Sequence, residues 1–320
     1  YNLIMEDKSI LTLHPIFNSK EFDAKTFGPA RWFEDGDSYT TLETAASDDK
    51  VKEIIRYDIA SADRSILVMA EQLQPPGKDK PLIVENYSWS PDNNFLLIFT
   101  NSKRVWRENT RGDYWILELG TGKLTQLGGD AKPATIMFAD FSPDNNSIAY
   151  VRENNIYVET ITSGEIIQLT TDGSANIING TSDWVYEEEF RLRNGFYWSP
   201  DSQYIAYWQF DTTGIEIFYL INNTTNLYPK LHPLPYPKAG TNNSACRVGV
   251  IAASGGDTTW FDVPDDPRNH YIPKMEWAAN SDQVLIQQLN RLQNRNKLLL
   301  GDIASGSVST VFVEKDEAWI

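Results

Sequence analysis

The sequence predicts an all-β fold, a β-propeller of four-stranded blades. Three observations carry that prediction. A unit made of an aromatic residue, a Ser-Pro-Asp turn and a strand recurs along the chain. Gly-containing turns recur at the same place within the copies. Long helical periods are absent. The segment 1–27 reads as a lead-in, and residues 28–320 read as the propeller.

The clearest copies are Tyr87-Ser-Trp-Ser-Pro-Asp-Asn-Asn-Phe-Leu-Leu-Ile-Phe99, Ala139-Asp-Phe-Ser-Pro-Asp-Asn-Asn-Ser-Ile-Ala-Tyr150 and Phe196-Tyr-Trp-Ser-Pro-Asp-Ser-Gln-Tyr-Ile-Ala-Tyr207. Weaker copies begin at Arg31-Trp-Phe-Glu-Asp-Gly36 and Glu276-Trp-Ala-Ala-Asn-Ser281. The anchor aromatics are then Trp32, Trp89, Phe141, Trp198 and Trp277, with Trp319 opening a sixth copy. Their spacings are 57, 52, 57, 79 and 42 residues. In each copy a strand ends in an aromatic that packs between sheets. Pro then presets φ, and Asp or Asn bonds back to the backbone to close the turn. A β-rich strand follows, such as 95–100. A third strand holds Tyr114-Trp-Ile-Leu-Glu-Leu119, Ile156-Tyr-Val-Glu-Thr160 or Leu298-Leu-Leu-Gly-Asp302 and ends at Gly122, Gly164 or Gly306. Fourth strands are expected over 123–127 and 165–170. Five full copies and the start of a sixth leave the ring open. Exposed blade edges invite aggregation, so the chain reads as part of something longer.

Composition narrows the function classes. The 320 residues carry a formal net charge of −16. That argues against nucleic acid, whose binding needs Lys and Arg to neutralise phosphates, and suits cationic ligands. The single cysteine, Cys246, rules out an internal disulfide framework. It reads as structural, although Arg247 would lower its pKa if it faced the thiol. There is no Gly-x-Ser-x-Gly elbow, P-loop or Rossmann fingerprint, and the settings of His14, His232 and His270 support no Ser/His/Asp constellation. No cofactor is expected.

Two irregularities interrupt the repeat, and insertions on a regular scaffold are where function usually sits. One is the long fourth interval, with the Pro-rich stretch 228–240. The other is the insertion 175–194, which holds Asp183-Trp-Val-Tyr-Glu-Glu-Glu189. If this segment is helical, successive side chains diverge by about 100°. Glu188 and Glu189 then line one concave site, with Glu187 turned elsewhere. Two carboxylates facing one cavity repel unless a cation joins them. A bland reading competes: Glu187 with Arg191 and Glu189 with Arg193 have the i,i+4 order of surface ion pairs. A metal fits poorly, because no histidine is near and consecutive glutamates are not a ligand spacing. The second candidate is Trp106-Arg107, where a guanidinium fork beside an aromatic suits a carbonyl or carboxylate.

At these residues the chain resembles the dipeptidyl peptidase IV family, serine exopeptidases of the prolyl oligopeptidase clan. The likeness runs from about residue 10 to the end and rests on Asp183–Glu189, Trp106-Arg107, Tyr236-Pro-Lys-Ala-Gly240, Arg291-Leu-Gln-Asn294 and Ala318-Trp-Ile320. The resemblance implies an eight-bladed propeller, of which five to six blades are in this chain, capping a C-terminal α/β-hydrolase domain that carries the catalytic triad. Glu188 and Glu189 would bind the protonated N-terminus of a peptide substrate. Arg107 would hold the carbonyl of the second residue from the cut. The product would be an Xaa-Pro or Xaa-Ala dipeptide. Arg191 and Arg193 stand close enough in sequence to compete with the amine. The resemblance also implies a homodimer, and the chain's character suggests a bacterial source with a periplasmic, envelope or secreted location. The alternative is a non-catalytic propeller, a pseudo-enzyme or an interaction module.

Overall fold

The computed structural model describes residues 11–19, 21–24, 27–45 and 51–320. Among these residues it contains five antiparallel four-stranded blades, the second and third joined edge to edge by a short pairing of Arg111 and Gly112 with Met137 and Ile136. Blade I is Ala30–Phe33, Ser38–Thr44, Lys52–Asp58 and Arg64–Val68. Blade II is Asn86–Trp89, Phe95–Lys103, Arg111–Glu118 and Leu124–Gln126. Blade III is Ile136–Phe141, Ser147–Arg152, Asn155–Thr160 and Ile166–Gln168. Blade IV is Phe196–Trp198, Tyr204–Asp211, Ala245–Ala252 and Thr259–Trp260. Blade V is His270–Trp277, Gln283–Asn290, Arg295–Asp302 and Val308–Lys315. Four apolar clusters fill the four joints between successive blades. Trp319 lies exposed in irregular backbone after the last strand.

The repeated residues make the joints. In blades II, III and IV the turn serine (Ser90, Ser142, Ser199) bonds the turn aspartate at 2.6 Å and accepts the N–H that starts the next strand. The aspartate N–H then reaches to the following blade: Asp92 to Asn145 Oδ1 (3.1 Å), Asp144 to Ser202 Oγ (3.0 Å) and Asp201 to Ser281 Oγ (3.1 Å). The anchor indoles reach the other way. Trp89 Nε1 donates to Thr40, Trp198 Nε1 to the Asp140 carbonyl and Trp277 Nε1 to the Tyr197 carbonyl. Each turn therefore fixes its own strand and its neighbour.

Blade I departs from the expected pattern. Trp32 is exposed, and the adjacent Phe33 is buried and packs on Trp89 at 4.8 Å. Successive strand residues face opposite ways, so the inward position of this copy falls one residue later than the sequence match suggests.

Burial by itself would raise the carboxyls of Asp92, Asp144 and Asp201, but their turn hydrogen bonds outweigh it and hold all three below the usual range. A depressed folded-state pKa contributes stability above the unfolded value, lost as pH falls through the folded one. Denaturant unfolding should therefore show stability declining below about pH 4, and Asp144→Asn should flatten part of that decline. An unchanged acid slope in Asp144→Asn would contradict this role for the turns.

Candidate functional site

The acidic insertion is a bulge in one strand position of blade IV. Ile177–Asn179 and Phe196–Trp198 both pair with Tyr204–Asp211, in register on either side of Trp208. Between them residues 180–195 leave the sheet and return. Gly180 and Gly195 form the neck. Gly195 N–H donates to Gly180 O, Gly180 N–H to Trp208 O, and Trp208 N–H to Gly195 O, each at 3.0 Å. A Cβ on Gly195 would lie 2.8 Å from Gly180 backbone carbon, so the two chains meet only because that side chain is absent. The excursion is thus shorter than the 175–194 expected, because residues 177–179 belong to the sheet.

Within the excursion Trp184–Phe190 is an α-helix. Asp183 caps it: Oδ1 accepts the Tyr186 N–H (2.9 Å), and Oδ2 accepts from buried Ser244 (2.6 Å). Burial raises the Asp183 carboxyl, and those two bonds oppose the rise. Tyr186 is fully buried against Phe210 at 4.6 Å. Its hydroxyl accepts the Ile272 N–H at 2.9 Å, while Trp208 Nε1 donates to the Ile272 carbonyl at 2.9 Å. Blade V shifts register between Tyr271 and Lys274, which takes Ile272 out of the strand ladder. Two side chains from blade IV and its bulge satisfy that backbone instead.

The helix stops at Arg191, which adopts φ 56°. That left-handed turn destroys the i,i+4 relation, so the Glu187–Arg191 and Glu189–Arg193 surface pairs do not form. Arg191 is exposed, and Arg193 turns back to Glu108 (2.7 Å) and Glu187 (3.8 Å). Neither arginine is paired with Glu189.

The glutamates point three ways. Glu187 is buried on the Arg193 side. Glu188 receives a two-pronged contact from Arg107, Nε to Oε2 and Nη2 to Oε1, both at 2.5 Å. Glu189 is exposed and makes no ion pair among the described residues. It lines a 670 Å³ cavity with Trp184, Phe190, Tyr236, Tyr271 and Arg291. Tyr236 packs on Trp184 at 4.3 Å, at the base of a hairpin (Ile217–Asn222 and Lys230–Pro235) that accounts for the long fourth interval. A second cavity of 240 Å³ lies on the other flank, against Trp106, Ser182, Trp184 and Glu187. The motif segments singled out in sequence thus converge: Arg107 meets Glu188, while the Tyr236 and Arg291 segments reach the Glu189 cavity. Arg193, singled out in sequence as a partner of Glu189 or a competitor of the amine, instead meets Glu108 and Glu187. Glu108 and Tyr271 were not anticipated, and only the adjacency of Glu108 to Arg107 hinted at either.

Cys246 is buried beside Tyr186, and burial pushes its thiol well up rather than down. Arg247 points away, stacked 3.6 Å over Trp260.

Fold and site together define a β-propeller domain whose distinguishing element is a pinned glutamate helix facing an arginine turn. Residues 90–320 match the family described as dipeptidyl peptidase IV N-terminal region, and the chain belongs to that family. It is 31% identical over 237 residues to dipeptidyl aminopeptidase B of Saccharomyces cerevisiae, covering 72% of this chain and 27% of that protein. It is 33% identical over 245 residues to dipeptidyl peptidase 4 of Trichophyton rubrum, covering 73% and 31%. The crystal structure of Porphyromonas gingivalis dipeptidyl peptidase 4 matches with a TM-score of 0.85 at 27% identity, covering 97% of this chain and 43% of that one. The chain spans less than a third of the length of these two curated relatives. Those relatives are fungal, whereas the solved structure is bacterial.

Tyr186→Phe removes the acceptor for a buried N–H, which costs about 1–3 kcal/mol. Chemical denaturation should show that loss, and equal stability of the two proteins would contradict the pinning role of the hydroxyl.

Proposed function

We propose that this chain is the substrate-binding and gating propeller of a dipeptidyl aminopeptidase. In this reading the polypeptide also carries a serine-type α/β-hydrolase domain that cuts after Xaa-Pro or Xaa-Ala. Residues 1–320 alone would then be inactive. Glu188 and Glu189 take the substrate's terminal ammonium, and Arg107 takes a backbone carbonyl.

The observation that supports this most is the Arg107–Glu188 fork beside a Glu189 that is unpaired among the described residues. An α-amine has a pKa near 7.7–8.0, so it is largely protonated at neutral pH. Glu189, beside a Glu188 that is forked by Arg107, is a carboxylate suited to receive it. Arg107 spends Nε and Nη2 on Glu188. A guanidinium has five N–H donors, so its remaining edge stays free for a carbonyl. Arg107 thereby orients the anchor and contacts the substrate at once. The fixed helix sets how far the chain extends from its amine, so the site measures substrate length. An acylated N-terminus would bring no cation to Glu189 and would be rejected. Positioning of this kind supplies several kcal/mol of barrier reduction.

In the full-length enzyme, Glu188→Ala and Glu189→Ala should each lower kcat/KM for an Xaa-Pro chromogenic substrate about 100-fold or more, a transition-state loss near 2.7 kcal/mol, with folding intact. Near-normal turnover in both folded variants would sink the assignment.

A further inference from the structure

The amine anchor as proposed uses two of three consecutive glutamates, and the inference that follows rests on that reading. Glu187 has only 7% of its side chain exposed. A carboxylate this buried is kept where something pairs with it. The facing group is Arg193, with Nε 3.8 Å from Glu187 Oε1. Among the described residues neither atom has a hydrogen-bond partner. The far end of the same guanidinium meets Glu108 Oε1 at 2.7 Å. Glu108 closes the turn that presents Arg107, since Val105 N–H donates to the Glu108 carbonyl at 3.0 Å. One guanidinium therefore spans a carboxylate inside the helix and a carboxylate at the base of the arginine turn. Burial raises the Glu187 carboxyl, while Arg193 and the Arg107 backbone N–H act the other way.

We propose that Glu187 and Arg193 are positioning residues for the amine anchor. They hold the 105–108 turn against the helix and so fix the Arg107 fork that aims the Glu188 carboxylate. Glu188 is a flexible side chain, and Arg107 is 65% exposed. Left to themselves, both would have to be ordered when substrate binds, and that ordering weakens affinity. Supporting contacts that lock them beforehand tighten ground-state binding. A merely structural role for Glu187 predicts something else: lower stability with an unchanged KM.

The test uses the full-length enzyme and an Xaa-Pro chromogenic substrate, with Glu187→Gln, Glu108→Gln, the double variant and Glu188→Ala. Glu187→Gln keeps the volume and removes the charge. Glu108→Gln changes a residue 55% exposed and leaves the core untouched. Each single variant is expected to raise KM about 3- to 10-fold, the scale of one modest ion pair, with kcat within about twofold. Because both act through Arg193, the double variant should raise KM by clearly less than the product of the single effects. An unchanged KM in folded Glu187→Gln and Glu108→Gln, or a fall in kcat at constant KM, overturns the proposal. If Glu187→Gln does not fold, Glu108→Gln decides by the same criterion. Glu188→Ala separates the two claims. Loss of turnover there with a wild-type KM in the other variants overturns only the positioning role. Full turnover in Glu188→Ala overturns the anchoring role of Glu188 and this inference with it.

Discussion

The site depends on the hydrogen bond between the Tyr186 hydroxyl and the Ile272 amide. A helix as short as Trp184–Phe190 has no stability of its own in water. It exists here because its inward face is built into the joint between blades IV and V. The register shift in blade V leaves a backbone N–H that needs a partner, and the helix needs a fixed point. One contact meets both needs. The glycine neck and the Asp183 cap then set where the helix starts and how it is aimed.

Three adjacent carboxylates on a protein of net charge −16 pose an electrostatic problem. The fold gives each a different environment. Glu187 is buried beside Arg193, Glu188 is forked by Arg107, and Glu189 faces a cavity with no cation paired to it among the described residues. The divergence follows from helical geometry, about 100° per residue. The left-handed Arg191 then ends the helix and returns Arg193 to its inner side. What is left on the open face is Glu189, at a cavity with aromatic walls from Trp184, Tyr236 and Tyr271 and with Lys238 and Arg291 also on its lining. In the proposed reading this is where the substrate ammonium is received.

Much of the fold was legible in the sequence. Ser-Pro-Asp recurs because one turn does two jobs, closing its own strand and bonding the next blade, so the repeat is strict where both jobs are done. Blade I lacks the motif, and there the anchor slips from Trp32 to Phe33, which pattern matching could not register. The ion pairs expected from i,i+4 spacing failed because a single φ at Arg191 decides whether the helix continues, and arginine carries no strong signal for a left-handed turn. Physical reasoning on spacing alone also had no route to the Arg107–Glu188 contact. Those residues are 81 positions apart, and blade packing joins them. Residue chemistry singled out each by itself, resemblance to a family linked them, and the fold brings them into contact.

A crystal structure of the full-length protein with an Xaa-Pro dipeptide or a non-hydrolysable mimic bound would test the central claim most directly. The account predicts the ligand's ammonium within hydrogen-bond distance of both Glu188 and Glu189, the free edge of Arg107 on a ligand carbonyl, and the helix unmoved on its Tyr186 pin. An ammonium held elsewhere, with Glu188 engaged by Arg107 alone and Glu189 facing solvent, would contradict it.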